Sequence, residues 1–104
     1  YTLMADQDTI NIATYFTEPY KEIGALYIKI GLEKKGEKYL LKAISLLPWD
    51  SRPYDILWEV YKKKAHQLPE NEREKLKKIY TKALRYIPNY KNAFHVLGVL
   101  QSSK

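Results

Sequence analysis

Two histidines, His66 and His95, are the side chains of this sequence best suited to proton transfer or metal binding. His66 falls near a predicted turn and His95 on a predicted helix, and no spacing joins them into one site. The chain has no cysteine, which excludes disulfides, thiolate zinc ligands and thiol catalysis. It also has no glycine-rich phosphate-binding loop. The sequence therefore predicts a chain that is not an enzyme and has no catalytic residues, metal site or cofactor.

Three alternating carboxylates, Glu70, Glu72 and Glu74, are the other candidates for acid–base chemistry. They fall where a helix is predicted to begin. Acidic side chains in the first turn of a helix interact favourably with the helix dipole. We therefore interpret them as a helix start and not as a catalytic pair.

Basic residues recur at helical spacing in two segments of a chain whose formal net charge is +6. If the two helices stack, these residues line one outer surface, which could contact the phosphates of nucleic acid or anionic lipid headgroups. The alternative is a solvated face that keeps the protein in solution. We expect no aromatic side chain among them, so base stacking is not predicted. This basic stripe comprises Lys35, Lys38, Lys42, Lys75, Lys78, Lys82 and Arg85.

Two patterns of residues recur along the chain. The segment that ends at Pro48 and the segment that ends at Pro88 share lysines and apolar residues at the same helical positions. A second pattern begins at Pro19, recurs at Pro53 and starts a third time after Pro88. The order is therefore helix A, helix B, helix A, helix B, helix A. The second unit is longer than the first, which places an insertion at residues 66–71, between its two helices.

Residues that favour helix starts and turns mark the boundaries of these helices. Thr17 is predicted to cap the first A helix, with Pro19 in the first turn, where its missing N–H does no harm. Asp50 and Pro53 repeat that arrangement before the second A helix. Gly31 is predicted to lie in the turn that follows the first A helix.

This organisation divides the chain into a leader and a repeat domain. Residues 1–16 do not fit the repeat, and we expect an irregular helix, an extended leader or a linker there. The repeat domain, residues 17–104, consists of repeat one at 17–50, repeat two at 51–90 with its insertion, and a half repeat at 91–104. Because the chain begins with tyrosine, we take it as part of a longer or processed protein.

The three copies share a large aromatic residue and an apolar residue three positions later, and the first two copies also share a later alanine and a closing proline. The first copy consists of Tyr20, Ile23, Gly24, Tyr27, Gly36, Leu40, Ala43 and Pro48. The second consists of Tyr54, Leu57, Trp58, Tyr61, Leu76, Tyr80, Ala83 and Pro88, and the third of Phe94, Leu97, Gly98 and Gln101.

This pattern resembles the tetratricopeptide repeat (TPR), over about two and a half repeats. The resemblance implies an all-α fold, a right-handed stack of antiparallel helix pairs that forms an α-α superhelix. Two positions depart from it. Gly36 stands where the family prefers alanine, and Trp58 stands where the family has a small residue that lets two helices approach. The second helix pair is therefore expected to be splayed.

The resemblance also implies a concave groove, lined by the A helices, that binds a protein or peptide partner. The groove positions in this sequence are Lys21, Ala25, Ile28, Arg52, Asp55, Glu59, Lys62, Asn92, His95 and Val99. They mix both charges with apolar side chains, so an extended peptide with charged and apolar residues would suit them.

The last A helix has no B helix after it in this sequence. We expect Phe94, Leu97 and Gly98 to face the preceding helix pair. The other side then exposes three apolar residues, Val96, Val99 and Leu100, which we interpret as a surface for a partner or for self-association.

The sequence therefore predicts a non-catalytic protein–protein interaction module, part of a larger protein or assembly, that binds through the groove or the open last helix. One alternative is a basic adaptor that contacts nucleic acid or an anionic membrane through the basic stripe. Another is a regulatory or structural appendage of an enzyme, membrane-bound or not, whose catalytic part lies outside this chain.

Overall fold

The computed structural model describes residues 7–102, with side chains for residue 15 and residues 17–101. This part of the chain is all-α, in agreement with the predicted class, and contains no strand. Its elements are α1 (Gln7–Lys29), α2 (Glu33–Leu46), α3 (Ser51–Tyr61), a 3₁₀ helix (Lys62–Gln67), α4 (Glu70–Tyr86) and α5 (Lys91–Ser102). They belong to two compact units, unit 1 ending at Leu47 and unit 2 beginning at Pro48.

Unit 1 is a helical hairpin whose turn is closed by backbone hydrogen bonds. Gly31 adopts a φ of 92°, a left-handed conformation that glycine enters without strain. The Leu32 N–H donates to the Tyr27 carbonyl oxygen at 2.8 Å, and the Gly31 N–H donates to the Ile28 carbonyl oxygen at 3.1 Å. This pair of bonds is a Schellman motif, which satisfies the last carbonyls of α1. The predicted turn at Gly31 is confirmed.

Two glycines let the backbones of α1 and α2 approach each other closely. A Cβ added at Gly36 would lie 2.8 Å from the Gly24 carbonyl oxygen and 2.6 Å from Ile28 Cγ1. A Cβ at Gly24 would lie 3.0 Å from the side chain of Leu40, which is fully buried. Gly36 therefore lies inside α2, at the point where α1 and α2 cross.

The predicted start of the first A helix is wrong. Helix α1 begins at Gln7 and runs through Thr17, which is 1% exposed and lies in the middle of the helix. Pro19 is likewise inside α1, where it offers no N–H to the carbonyl four residues earlier. The same arrangement is confirmed at α3, where Asp50 is the N-cap and accepts the Arg52 N–H at 3.1 Å.

The predicted insertion, residues 66–71, overlaps the end of the 3₁₀ helix (Lys62–Gln67), the two residues after it and the first two residues of α4. Leu68 within the insertion is buried at 6% exposure and Ala65 just before it at 1%, so this connection between α3 and α4 contributes to the core. Trp58 is buried between α3 and α4, its ring centroid 6.3 Å from that of Tyr80. The backbones of α3 and α4 approach each other far less than those of α1 and α2 do, while the expected splay of α3 from α4 stays a prediction.

Buried tyrosines build the rest of the core of unit 2. The Tyr80 hydroxyl donates to the Tyr54 carbonyl oxygen at 2.6 Å, and the Tyr54 hydroxyl donates to the Pro48 carbonyl oxygen at 2.8 Å. The Tyr90 hydroxyl lies 3.2 Å from the Ser51 carbonyl oxygen and also donates to the Asp55 carboxylate. These bonds tie α4 and the start of α5 to the first turns of α3.

The predicted inner and outer sides of α5 are wrong. Val96 and Leu100, expected to be open, are fully buried, and Val99 is half-buried. Phe94, expected to face inward, is 58% exposed, and Gly98 is exposed. The buried stripe of α5 instead follows helical spacing from Ala93 through Val96 and Leu100.

We predict opposite effects for alanine at two glycines. Gly36→Ala should destabilise the protein by about 1–3 kcal/mol, because its Cβ meets backbone atoms that cannot move independently. Gly98→Ala should stabilise it by up to about 1 kcal/mol, since nothing lies within 4 Å of the new Cβ and alanine favours the helix. Urea unfolding of both variants measures this, and equal effects would contradict the close crossing.

Stability should fall steeply at alkaline pH. Burial, with smaller contributions from Tyr86 and Asp50, raises the pKa of Tyr54 from 10.0 to about 12. Burial also raises the pKa of Tyr80 and of Tyr90. The folded chain keeps protons that the unfolded chain releases, so this stability is complete below pH 10 and is lost as the pH rises through the folded pKa values.

The expected loss is about 1.4 kcal/mol per pH unit for each such tyrosine. Unfolding by urea at a series of pH values measures it, and Tyr80→Phe should make the dependence shallower. Tyr15→Phe is the control, because Tyr15 is 75% exposed. A slope that Tyr80→Phe leaves unchanged would refute the assignment.

Candidate interaction surfaces

The predicted groove residues of unit 1 are mostly engaged in the hairpin. Lys21 is 5% exposed and pairs with Glu18 one turn earlier on α1. Ala25 and Ile28 are half-buried, and Ile28 lies against Gly36. These side chains therefore offer a partner little free charge.

The predicted groove residues of unit 2 are more accessible and partly joined to one another. The Asn92 side chain on α5 donates to the Asp55 carboxylate on α3 at 2.7 Å. Lys62 pairs with Glu59 at 2.9 Å on the exposed side of α3. Three further groove residues add an exposed cation, an exposed imidazole and a half-buried apolar side chain: Arg52, His95 and Val99. The groove itself, which draws on both units, stays a prediction.

The three acidic candidates lie at the start of α4. Glu70 and Glu72 lie in the first turn of α4, as the helix-start interpretation requires. Glu74 pairs with Lys77 at 3.2 Å, and the hydrogen bond from Lys77 lowers the pKa of the Glu74 carboxyl. His66 is exposed in the 3₁₀ helix.

The open face of α5 consists of Phe94, Gly98 and Gln101, all exposed. In α3 the residues at the same repeat positions are Tyr54, Trp58 and Tyr61, and all three are buried. The repeat pattern predicts that Phe94 and Gly98 face inward, as Tyr54 and Trp58 do in α3. In α3 these positions are covered by the next helix, α4. No helix follows α5 in the described part of the chain, so Phe94 and Gly98 stay exposed.

Tyrosines lie among the α2 part of the basic stripe, so the expectation of no aromatic side chains there is wrong. The Tyr39 ring stacks on that of Tyr27 at a centroid distance of 5.5 Å and lies 6.2 Å from that of Tyr20. Lys35 Nζ lies 5.8 Å above the Tyr27 ring. A cleft of about 420 Å³ adjoins this cluster, lined by Tyr20, Lys38, Tyr39, Leu41 and Lys42.

The α4 part of the basic stripe has a different character. Lys75, Lys78, Lys82 and Arg85 are all exposed. A groove of about 430 Å³ runs along them, lined by Glu74, Lys77, Lys78, Thr81, Lys82 and Arg85. No aromatic ring lines it, and Glu74 offsets part of its charge. The α4 surface is therefore basic, but unlike the cleft of unit 1 it offers no ring for stacking.

Comparison with known proteins gives no match to a family model, a curated sequence or a solved structure. The tetratricopeptide resemblance, with its superhelix and groove, therefore stays a prediction. Within residues 7–102, no helix combines the length and apolar character needed to cross a bilayer.

Proposed function

We propose that this chain is a non-catalytic interaction module that binds an α-helix of a protein partner on the open face of α5. The observation that carries the proposal is the 58% exposure of Phe94, beside Gly98, where an added Cβ would meet no atom within 4 Å. A large exposed aromatic side chain can anchor a partner helix, and the open space at Gly98 lets the backbone of that helix approach.

Unit 1 indicates what kind of helix would fit. Gly24 has the repeat position of Gly98, and its surface is occupied by Gly36 and Leu40 of α2. The partner helix is therefore expected to place a small residue and a leucine-sized residue against Gly98. Helix α5 carries Lys91 and no carboxylate, so acidic residues on the edge of the partner helix would complement it.

Two substitutions on α5 test this proposal. Phe94→Glu removes the anchor, and Gly98→Leu fills the patch without meeting another described atom near its Cβ. Both variants should fold and lose a partner that the wild type captures from lysate, with affinity falling at least about tenfold. Leu46→Glu, an exposed apolar position on α2, is the matched control.

The captured partner should then be mapped by photo-crosslinking from position 94. The proposal requires a crosslink to an amphipathic helix and retention by Leu46→Glu. A partner held equally by wild type and both α5 variants, or crosslinks to an extended segment, would contradict it and favour the groove.

A second function, binding of single-stranded nucleic acid, is favoured by the tyrosine cluster of unit 1. Tyr20 and Tyr39 line one cleft with Lys38 and Lys42, and so combine stacking surfaces with phosphate-binding charge, as in proteins that bind single strands. The cleft of about 420 Å³ is large enough for a nucleotide. An anionic membrane would also be attracted by the lysines, but it has no bases that could stack on the tyrosine rings.

Nucleic-acid binding is tested by titrating a labelled single-stranded oligonucleotide at several salt concentrations. Tyr39→Leu should weaken binding roughly tenfold through the loss of one stacked base, while Tyr39→Phe keeps it. Lys42→Gln should lower the salt slope by about 0.7, and Lys82→Gln on α4 should not. Binding to anionic vesicles without binding to the oligonucleotide would refute this function.

A further inference from the structure

Helix α1 carries an exposed apolar stripe that neither the groove nor the open face of α5 uses. This α1 stripe consists of Pro19, Ile23 and Leu26 of α1 and of Ile30, the residue directly after the helix, whose N–H still donates to the Leu26 carbonyl oxygen at 3.0 Å. The four residues alternate at spacings of four and three. Ile23, Leu26 and Ile30 are 38%, 59% and 61% exposed. Most of the large exposed apolar side chains of the described chain lie in unit 1. Clustered exposed apolar side chains are typical of a surface that binds a partner.

The repeat pattern shows that these positions suit helix packing. At three of the four stripe positions the corresponding residues of α3, Pro53, Leu57 and Val60, are buried, whereas Ile30 corresponds to the exposed Lys64. In α5 the equivalents Ala93 and Leu100 are buried and Leu97 is half-buried. Of the corresponding faces of α1, α3 and α5, the one on α1 is exposed and the other two pack against neighbouring residues.

We infer that the α1 stripe pairs antiparallel with the α1 stripe of a second copy of this chain. Apolar residues at alternating spacings of three and four form the seam of paired helices. In the antiparallel register, Ile23 packs opposite Leu26 of the second copy, and Pro19 packs opposite Ile30. A two-fold axis relates the copies, so every contact occurs twice.

Charges beside the stripe select the second copy as occupant and fix its direction. Glu22 and Lys29 are exposed on the same edge of the stripe, and neither forms an ion pair with another described residue. The antiparallel register places Glu22 opposite Lys29 of the second copy, twice by symmetry. A parallel pair would instead place Glu22 beside Tyr27, with no charge to balance it.

The seam is short, which sets the expected strength. The stripe spans twelve residues, or about 17 Å of helix at 1.5 Å per residue. With four apolar residues from each copy, the interface falls at the small end of specific interfaces. Dimers are therefore expected to form in a concentration-dependent way and to dissociate on dilution.

Sedimentation equilibrium from micromolar to millimolar concentration tests the pairing. The wild type should shift from monomer to dimer, and Leu26→Glu should remain monomeric. Phe94→Glu is the control, because Phe94 is as exposed as Leu26, at 58% against 59%, but lies on α5. Far-UV circular dichroism verifies that both variants fold. A wild type that is monomeric throughout the range would overturn the inference.

Charge exchange tests the register. Glu22→Lys alone and Lys29→Glu alone should each weaken dimerisation roughly tenfold, because two attractive contacts become repulsive. An equimolar mixture of the two variants should form mixed dimers with at least wild-type affinity, since every contact again joins opposite charges. The pairing would be overturned if neither charge exchange changed the dimer dissociation constant. It would also be overturned if Phe94→Glu abolished the dimer and Leu26→Glu did not.

Discussion

The constraint on which unit 2 depends is that its buried tyrosine hydroxyls must find acceptors. A buried hydroxyl without a hydrogen bond costs on the order of 1–3 kcal/mol, so each ring is held in one orientation by its acceptor. Tyr80 finds the Tyr54 carbonyl oxygen, and Tyr54 finds the Pro48 carbonyl oxygen. Tyr90 finds Asp55, which in turn accepts from Asn92. This chain of bonds sets where α4 and α5 lie against α3, and so decides which side of α5 is covered and which stays open.

In unit 1 the position of one helix against the other is set by steric fit. Its helices meet where Gly24 and Gly36 leave room for the backbones, while the helices of unit 2 are held apart by Trp58 and Tyr80. The α1–α2 and α3–α4 pairs share one repeat pattern in sequence but therefore differ in how closely their helices approach. The close crossing leaves the tyrosines of unit 1 at its edge, half-buried and beside lysines, whereas the wider gap of unit 2 encloses its tyrosines.

The sequence was sufficient to predict the all-α class, the cap at Asp50, the turn at Gly31 and the insertion between α3 and α4. It misplaced the start of α1 because Pro19 was matched to Pro53. Pro48 interrupts the chain shortly before α3, but no proline or glycine precedes Pro19, so nothing ends the helix there. The predicted inner and outer faces of α5 were wrong because the repeat pattern indicates which residues can pack. It does not indicate whether the helix that they would pack against is present. The tyrosine and lysine cluster depends on ring positions that spacing alone does not give.

The two uncovered apolar faces are suited to different occupants. The α1 stripe has Glu22 and Lys29 on one edge, a balanced pair that a second copy in the opposite direction complements. The open face of α5 has Lys91 and His95 beside Phe94, and α5 has no carboxylate, so a second copy of α5 offers no negative charge to complement Lys91. Charge balance therefore supports our proposal of self-association through α1, whereas the sequence predicted it for the last helix. It also supports the proposal that α5 binds a helix of different sequence with acidic residues along one edge.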